Sequence, residues 1–458
     1  MDSYQHTRRY LGCFLAGLFS VLLLTGLASP GLGQDVSAAF SQRLNQGKVL
    51  YETGHLAEAA TLLEELNASS QSVLTEATLL GNLALVYGQQ GQWDAANQAV
   101  TQSLNLLTDY PQGQRLLAQT LDVRGRLEFG QHQSDQALRS WQQAANLYGQ
   151  LGDQQRSVLA QLRQASALQS LGFHRRAQDE ILFPLSTTLS QSPASLEKAV
   201  TLRYLATAYQ TLESLDQARE TARESLAVAQ QIGSAPVIEA AYLKLGNILA
   251  AQAKEARNLQ QRSRAQELTN QALEQYQKVE PPPSPPDSFN NYLRSELNQL
   301  SLLVDAGRLT AAKALWPKLL APMTAQSPTH DAVYGQLKLA ESLIRLHGIS
   351  ANFAPTPDTL RQFLDTTNSA AMALGDQRAR AYVAGYLGTL YLDLGQLSQA
   401  RQQTEQGLFL AQTVRATEIA YRWYAQLGQI DQRQGDRMGA IANYTGAVNT
   451  LKSLRSDL

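Results

Sequence analysis

Cysteine is nearly missing from this chain: Cys13 is the only one in 458 residues, and it stands close to the first residue. Disulfides, thiolate metal sites and cysteine nucleophiles are therefore excluded from the body of the protein. A dominant charge is missing as well, with 38 Lys and Arg against 39 Asp and Glu and a net charge of −1. Setting aside residues 1–33, which hold Arg8, Arg9 and Asp2, leaves 36 basic and 38 acidic side chains. Such a balance gives no electrostatic reason to bind nucleic acid or an anionic membrane. Aromatic residues are few (7%) and Met rarer still (four), so the core has to be built from Leu and Ala. Catalytic signatures are lacking too: there is no GxSxG, no phosphate-cradling GxxxxGK, no HExxH and no Asp-rich calcium loop. No catalytic residue, cofactor site or metal site is nominated, and the chain reads as a non-enzyme.

The one long apolar run is at the N-terminus. Arg8 and Arg9 precede LGCFLAGLFSVLLLTGLA (11–28), and Pro30, Gly31 and Gly33 follow. Basic, apolar, then small is the order of a secretory signal, with cleavage expected near Gly33–Gln34. The 18 apolar residues are also just enough to span a bilayer, so an uncleaved anchor is the alternative. Export to a periplasmic, extracellular or lumenal space is expected, with no membrane span in the mature chain.

What fills the rest is a repeat. In YLGTLYLDLGQLSQA (386–400) the step from Gly388 is three residues to Tyr391, seven to Gly395 and twelve to Ala400. The same ruler fits from Gly428 and from Ala84. Extended along the chain, the marker falls at Gly47, Ala84, Gly125, Ala165, Ala206, Gly246, Leu300, Ala340, Gly388 and Gly428. Twelve residues further on stands Ala59, Ala96, Ala137, Ala177, Ala218, Ala312, Ala400 or Ala440, while repeats six and eight miss it because extra residues follow the first helix. Each unit holds two runs of helical apolar spacing with a turn between them, often marked by Gly: Gly54, Gly91, Gly172, Gly307, Gly395 and Gly435. The small marker is expected to let the second helix approach, with the alanine meeting it. Tyr87, Tyr209 and Tyr391 are expected between helix pairs. A single pair cannot bury its own apolar face, so it stacks on the next.

This pattern resembles the tetratricopeptide repeat (TPR) family, most closely at 82–104 and 424–448, over essentially all of residues 40–450. The resemblance implies an all-α, right-handed superhelical solenoid of about ten helix-turn-helix repeats. The spacing near 40 exceeds the usual ~34, which implies longer helices. An N-terminal array (35–280), a Pro-rich connector (281–288, with PPPSPP at 281–286) and a C-terminal array (289–458) are expected. The segment GISANFAPTPDT (348–359) reads as a loop inside repeat eight. His55, His132, His174 and His347 fall in or beside turns and read as solvated residues.

The resemblance also implies a concave groove lined by the first helices. Counting from the markers nominates Arg126, Phe129, Arg203, Gln210, Asn247, Tyr382, Thr389, Arg422, Gln429 and Gln432 as its lining, a polar surface with scattered Arg and aromatic side chains suited to an extended peptide or a partner helix. The Lys/Asn/Arg clamp of chaperone-binding TPR domains is not found. The leader, LGD at 151–153 and 374–376, the proline connector and the closing NYTGAVNTLKSLRSDL (443–458) resemble the TPR region of cyanobacterial CHAT-domain proteins. No caspase-like domain or His/Cys dyad accompanies them here. The expectation is an exported scaffold that binds a protein or peptide. The alternatives are the sensing half of a split protease whose partner is a separate CHAT chain, and a self-associating envelope protein.

Overall fold

The computed structural model describes residues 38–456 except 53, 54, 71, 91, 132, 282–289 and 327. The expected leader, Gly54, Gly91, His132 and nearly all of the proline connector lie outside the described residues. Those described form helices and turns, with no strand.

Ten helix pairs follow one another. They are α1 (Ala38–Glu52) with α2 (Leu56–Ala68), α3 (Val73–Gln89) with α4 (Trp93–Thr108), α5 (Gln114–Gly130) with α6 (Ser134–Gln150), and α7 (Gln154–Ser170) with a second helix that starts at His174–Arg176, passes through a π-helical stretch (Ala177–Leu182) and ends as α8 (Phe183–Gln191). Next come α9 (Leu196–Thr211) with α10 (Leu215–Ile232), α11 (Ala235–Asn258) with α12 (Arg262–Gln277) and α13 (Asn291–Asp305) with α14 (Leu309–Thr324). The last three pairs are α15 (His330–Ile349) with α16 (Pro357–Ala373), α17 (Gln377–Asp393) with α18 (Leu397–Thr413), and α19 (Thr417–Gln434) with α20 (Arg437–Ser456). Every marker residue sits on an odd-numbered helix, so the protein is an array of TPR-like helical repeats. The chain divides into two compact units within α11, between Lys244 and Leu245. In each unit the first helices pack on one another as well as on their own partners, as α3 does on α5 and α15 on α17.

The recurrent alanine is the fourth residue of the second helix. Ala59, Ala96, Ala137, Ala177, Ala218, Ala312 and Ala400 are all fully buried there. Repeat six recovers it as Ala265, because α11 is longer and delays the second helix, and repeat eight places Leu360 at that position. The marker glycine, however, faces a different side chain from the one expected. In the repeats of Gly47, Gly125, Gly388 and Gly428 it is the residue sixteen further on, respectively Leu63, Trp141, Thr404 and Tyr444. A Cβ on Gly125 would lie 2.5 Å from the Trp141 ring, one on Gly428 2.8 Å from Tyr444, and one on Gly246 2.6 Å from Tyr276. Missing side chain on one helix is thus volume for a ring on the other, which is how close packing is reached with few aromatics. Tyr209 is buried as expected, and its hydroxyl donates to the Leu182 carbonyl at 3.4 Å.

Turns follow a common recipe. Gly172, Gly307, Gly395 and Gly435 have φ between 69° and 81°, as do Gly152 and Gly375 with φ of 70° and 65°. At the two LGD stretches the glycine ends one helix in the left-handed region and the Asp caps the next, Asp153 accepting from the Arg156 N–H (3.2 Å) and Asp376 from the Ala379 N–H (2.9 Å). Their recurrence therefore has a local physical cause. The segment 348–359 is pinned rather than free: Trp316 Nε1 donates to the Phe353 carbonyl (2.8 Å) and Lys313 Nζ to the Asn352 carbonyl (2.9 Å). Thr356 then caps α16.

A variant Gly125→Ala is expected to lose about 1–3 kcal/mol of stability through overpacking against Trp141. Adding Trp141→Leu should cancel most of that loss, since the clash and its cause are then removed together. Urea unfolding of the two single variants and the double variant checks this. Additive losses would show that the two positions do not share one space.

Candidate functional site

On the second unit, equivalent positions of α15, α17 and α19 form rows. Ten residues before the markers Ala340, Gly388 and Gly428 stand His330, Arg378 and Glu418; six before stand Tyr334, Tyr382 and Arg422; one after stand Glu341, Thr389 and Gln429. None of these nine is buried. Two pairs of row neighbours meet across α17 and α19. Arg378 pairs with Glu418, and the Arg422 guanidinium lies 5.8 Å from the centre of the Tyr382 ring. Tyr382 rests on an aromatic platform, 6.0 Å from Tyr386 and edge-on to Trp423 at 6.4 Å. Gly385 makes that platform possible, because a Cβ there would come within 2.1 Å of the Trp423 ring. Partial enclosure of the ring, working against Arg422, pushes the Tyr382 phenol up to about 12, so it stays neutral and remains a hydrogen-bond donor. Thr389 Oγ1 donates to Gln426 Oε1 at 2.9 Å. His330 Nδ1 is 3.0 Å from Asp376 Oδ2, the carboxylate that also caps α17, so this pair is accounted for by holding a helix end. Half-buried rings, cations and amides with part of their surface open suit a chain laid across three helices.

The first unit treats its first helices differently. Residues 77–86 of α3 are all buried, and on α5 the positions 118–127 are buried except Arg124. Charged groups are enclosed with them. Asp122 accepts from Arg126 Nη2 at 2.8 Å and from Arg163 Nη1 of α7 at 2.5 Å, with each of the three residues 5–6% exposed. Burial would raise the Asp122 carboxyl, but the two guanidiniums outweigh it and hold it below the usual carboxylate range. Burial, then Asp122, pushes the Tyr148 phenol up and keeps it neutral.

The ten residues nominated from sequence thus separate. Tyr382 and Arg422 meet, Thr389 joins their surface, Gln429 lies exposed beside it, and Gln432 is exposed with its Oε1 taken by the Tyr444 hydroxyl (3.3 Å). Asn247 Oδ1 is held by the Tyr276 hydroxyl (2.9 Å) and Asn298 Nδ2 (2.6 Å). Arg203 is half-buried over the ring of its neighbour Tyr204 at 5.1 Å. Gln210 is buried with Nε2 unpartnered. Arg126 is enclosed with Asp122, and Phe129 is packed on Trp141 with ring centres 5.4 Å apart, so its ring belongs to the core rather than to an open lining. Counting from the markers missed Asp122, Arg163, Arg378, Glu418 and Tyr386. Arg378 and Glu418 could have been found by carrying the same count one further turn toward the N-terminus of each first helix. Among the described residues no group of three His, Cys, Asp or Glu could hold a metal ion, and no helix is long and apolar enough to cross a membrane.

No protein-family model matches the chain, and no curated protein matches its sequence. Among solved structures it is similar to the apo form of the quorum sensor NprR from B. thuringiensis (12% identity, 91% of this chain and 100% of that one, TM-score 0.43). It is also similar to aspartyl phosphate phosphatase F from Bacillus subtilis (10%, 92% and 96%, TM-score 0.42) and to the human IFIT1 dimer with m7Gppp-AAAA (14%, 90% and 82%, TM-score 0.43). These are likenesses in the course of the helices, and nothing about partners passes from them to this chain.

Removing the shared carboxylate by Asp122→Ala leaves two enclosed cations facing each other, and a loss of about 3–5 kcal/mol is expected. Because the folded carboxyl sits below its unfolded value of about 3.9, its contribution is complete above that pH and fades as pH falls through the folded value. Denaturation of the variant beside the wild type at pH 7 and in acid measures both. A loss below about 1 kcal/mol at pH 7, outside the buried-pair range, would show that Asp122 does not hold the two cations.

Proposed function

We propose that this chain is an exported, non-enzymatic scaffold that binds a peptide or protein partner on the first-helix surface of α15, α17 and α19. The observation that supports it most is the row structure of that surface. Tyr334, Tyr382 and Arg422 occupy one helical position in three successive repeats and stay half-open, although neighbouring positions on the same helices are buried. An aromatic ring with a cation over it can stack on a side chain or accept a donor at small entropic cost. Thr389 and Gln429 lie alongside to meet backbone amides. The Arg pair and apolar run at residues 8–28 support export. Arg126 is not part of this surface, because its side chain is enclosed.

The test places a photo-crosslinking residue at Gln429, on the first-helix surface, or at Gln402, exposed on the second helix α18. The expected result, read by mass spectrometry of irradiated host cells, is one discrete adduct from position 429 and not from 402, which Arg422→Glu abolishes. Adducts of the same identity and yield from both faces, or indifference to Arg422→Glu, would overturn the reading.

A further inference from the structure

We propose that the surface on α15, α17 and α19 takes a proline-rich segment of a partner protein, laid across the three helices as a polyproline II helix. The proposal rests on the reading of that surface as a peptide-binding face and adds the class of peptide.

The first observation that selects this class is what the surface offers for hydrogen bonding. The Tyr382 hydroxyl and the Arg422 guanidinium have no hydrogen-bond partner among the described residues, and none of their polar atoms is enclosed. A guanidinium only donates, and the neutral phenol beside it donates too. Acceptors nearby are already used: the Glu418 carboxylate by Arg378, Gln426 Oε1 by Thr389, and the Glu341 charge bears on Arg422. An ordinary extended chain brings as many N–H groups as carbonyls. A proline-rich chain brings carbonyls without N–H groups, which is what a face of donors can satisfy.

The second observation is the period. Tyr334, Tyr382 and Arg422 hold one position on three first helices, and those helices pack on one another. Packed helices lie about 8–10 Å apart. A polyproline II helix rises about 3.1 Å per residue with three residues to the turn, or about 9 Å per turn. One turn therefore advances one row, and prolines three apart meet equivalent side chains. A strand, repeating every two residues at roughly 6.7 Å, and an α-helix, with a pitch of about 5.4 Å, fall out of step. The rigid pyrrolidine rings lie against the half-open Tyr334 and Tyr382 rings and the Arg422 stem. Such a chain is already extended before it binds, so little entropy is lost.

The experiment titrates the full chain into two fluorescent nine-residue peptides, nonaproline and an extended peptide of Thr and Gln, read by anisotropy. Nonaproline is expected to bind saturably, and the Thr/Gln peptide at least tenfold more weakly. Tyr382→Phe, which keeps the ring and loses the O–H, and Arg422→Gln should each weaken nonaproline roughly tenfold, the loss of one hydrogen bond. Gln402→Ala, exposed on α18, should leave it unchanged. Saturating nonaproline should also suppress the light-induced adduct from position 429. Should a variant fail to fold, the two peptides and this competition on the wild type decide. Equal affinity for both peptides, or binding indifferent to both variants, overturns the proposal. A partner adduct that forms while nonaproline does not bind overturns the peptide class and leaves the scaffold reading standing, whereas loss of both removes both. A light-induced homodimer in place of a partner adduct makes a second copy the occupant and also overturns the proposal.

Discussion

The structure depends on the exchange of volume between paired helices. Gly125 gives up a side chain and Trp141 fills the space, at about 1 kcal/mol of lost helix propensity against the larger gain from enclosing an indole. The same contact positions charge. Trp141 Nε1 donates to the Asp122 carbonyl at 3.2 Å, and Gln164 Nε2 of α7 donates to the Trp141 carbonyl at 3.2 Å. One residue, Trp141, therefore joins α5 through its ring and α7 through its backbone carbonyl, and the turn of α5 that the ring braces carries both Asp122 and Arg126. In the second unit the corresponding exchange is between Gly385 and Trp423, from successive first helices, and there the ring braces the turn that carries Tyr382. In both units the glycine that closes the packing stands within three residues of the side chains that the ring braces, Asp122 and Arg126 in the first and Tyr382 in the second.

Most of the architecture was legible because it is periodic. A small residue, a turn glycine and an alanine at fixed offsets state helix, turn and helix in sequence alone, and ten markers fall on ten first helices. The partner of the marker was not legible, since which residue fills a gap depends on how one helix rolls against another. Alanine twelve residues on looked like the contact because it recurs. It is buried at the start of the second helix, while the gap belongs to a residue one turn later whose identity varies from Leu63 to Trp141, Thr404 and Tyr444. The LGD stretches show the opposite hazard: a motif that looks like a family mark is explained by the left-handed glycine and the capping Asp.

The candidate surface was legible only in its second half, for a related reason. Helical counting tells which positions share a face, but it does not tell how deeply successive first helices enclose that face. Counting six before the marker found Tyr382 and Arg422, which stay half-open, while counting four after it found Phe129 and Gln210, which are buried. Leu85 on α3 and Arg126 on α5 both follow a marker directly, and both are enclosed. Enclosure is set by the curvature and spacing of several repeats together, which no window of forty residues contains.

Charge distinguishes the two units further. On α15, α17 and α19 polar groups pair across helices, Arg378 with Glu418 as an ion pair and His330 with Asp376 by a hydrogen bond, and the surface between them is filled by rings and amides. The Arg378–Glu418 pair is partly exposed, and such pairs add little to stability, whereas Asp376 is covered and also caps α17. In the first unit two guanidiniums are enclosed around one carboxylate, Arg126 and Arg163 around Asp122. The overall balance of 38 basic and 39 acidic residues conceals both arrangements. A neutral composition excludes a long-range field, yet it leaves room for local imbalance, and a repeat protein with near-identical scaffolding in each unit can place that imbalance wherever a single pair of positions departs from the pattern.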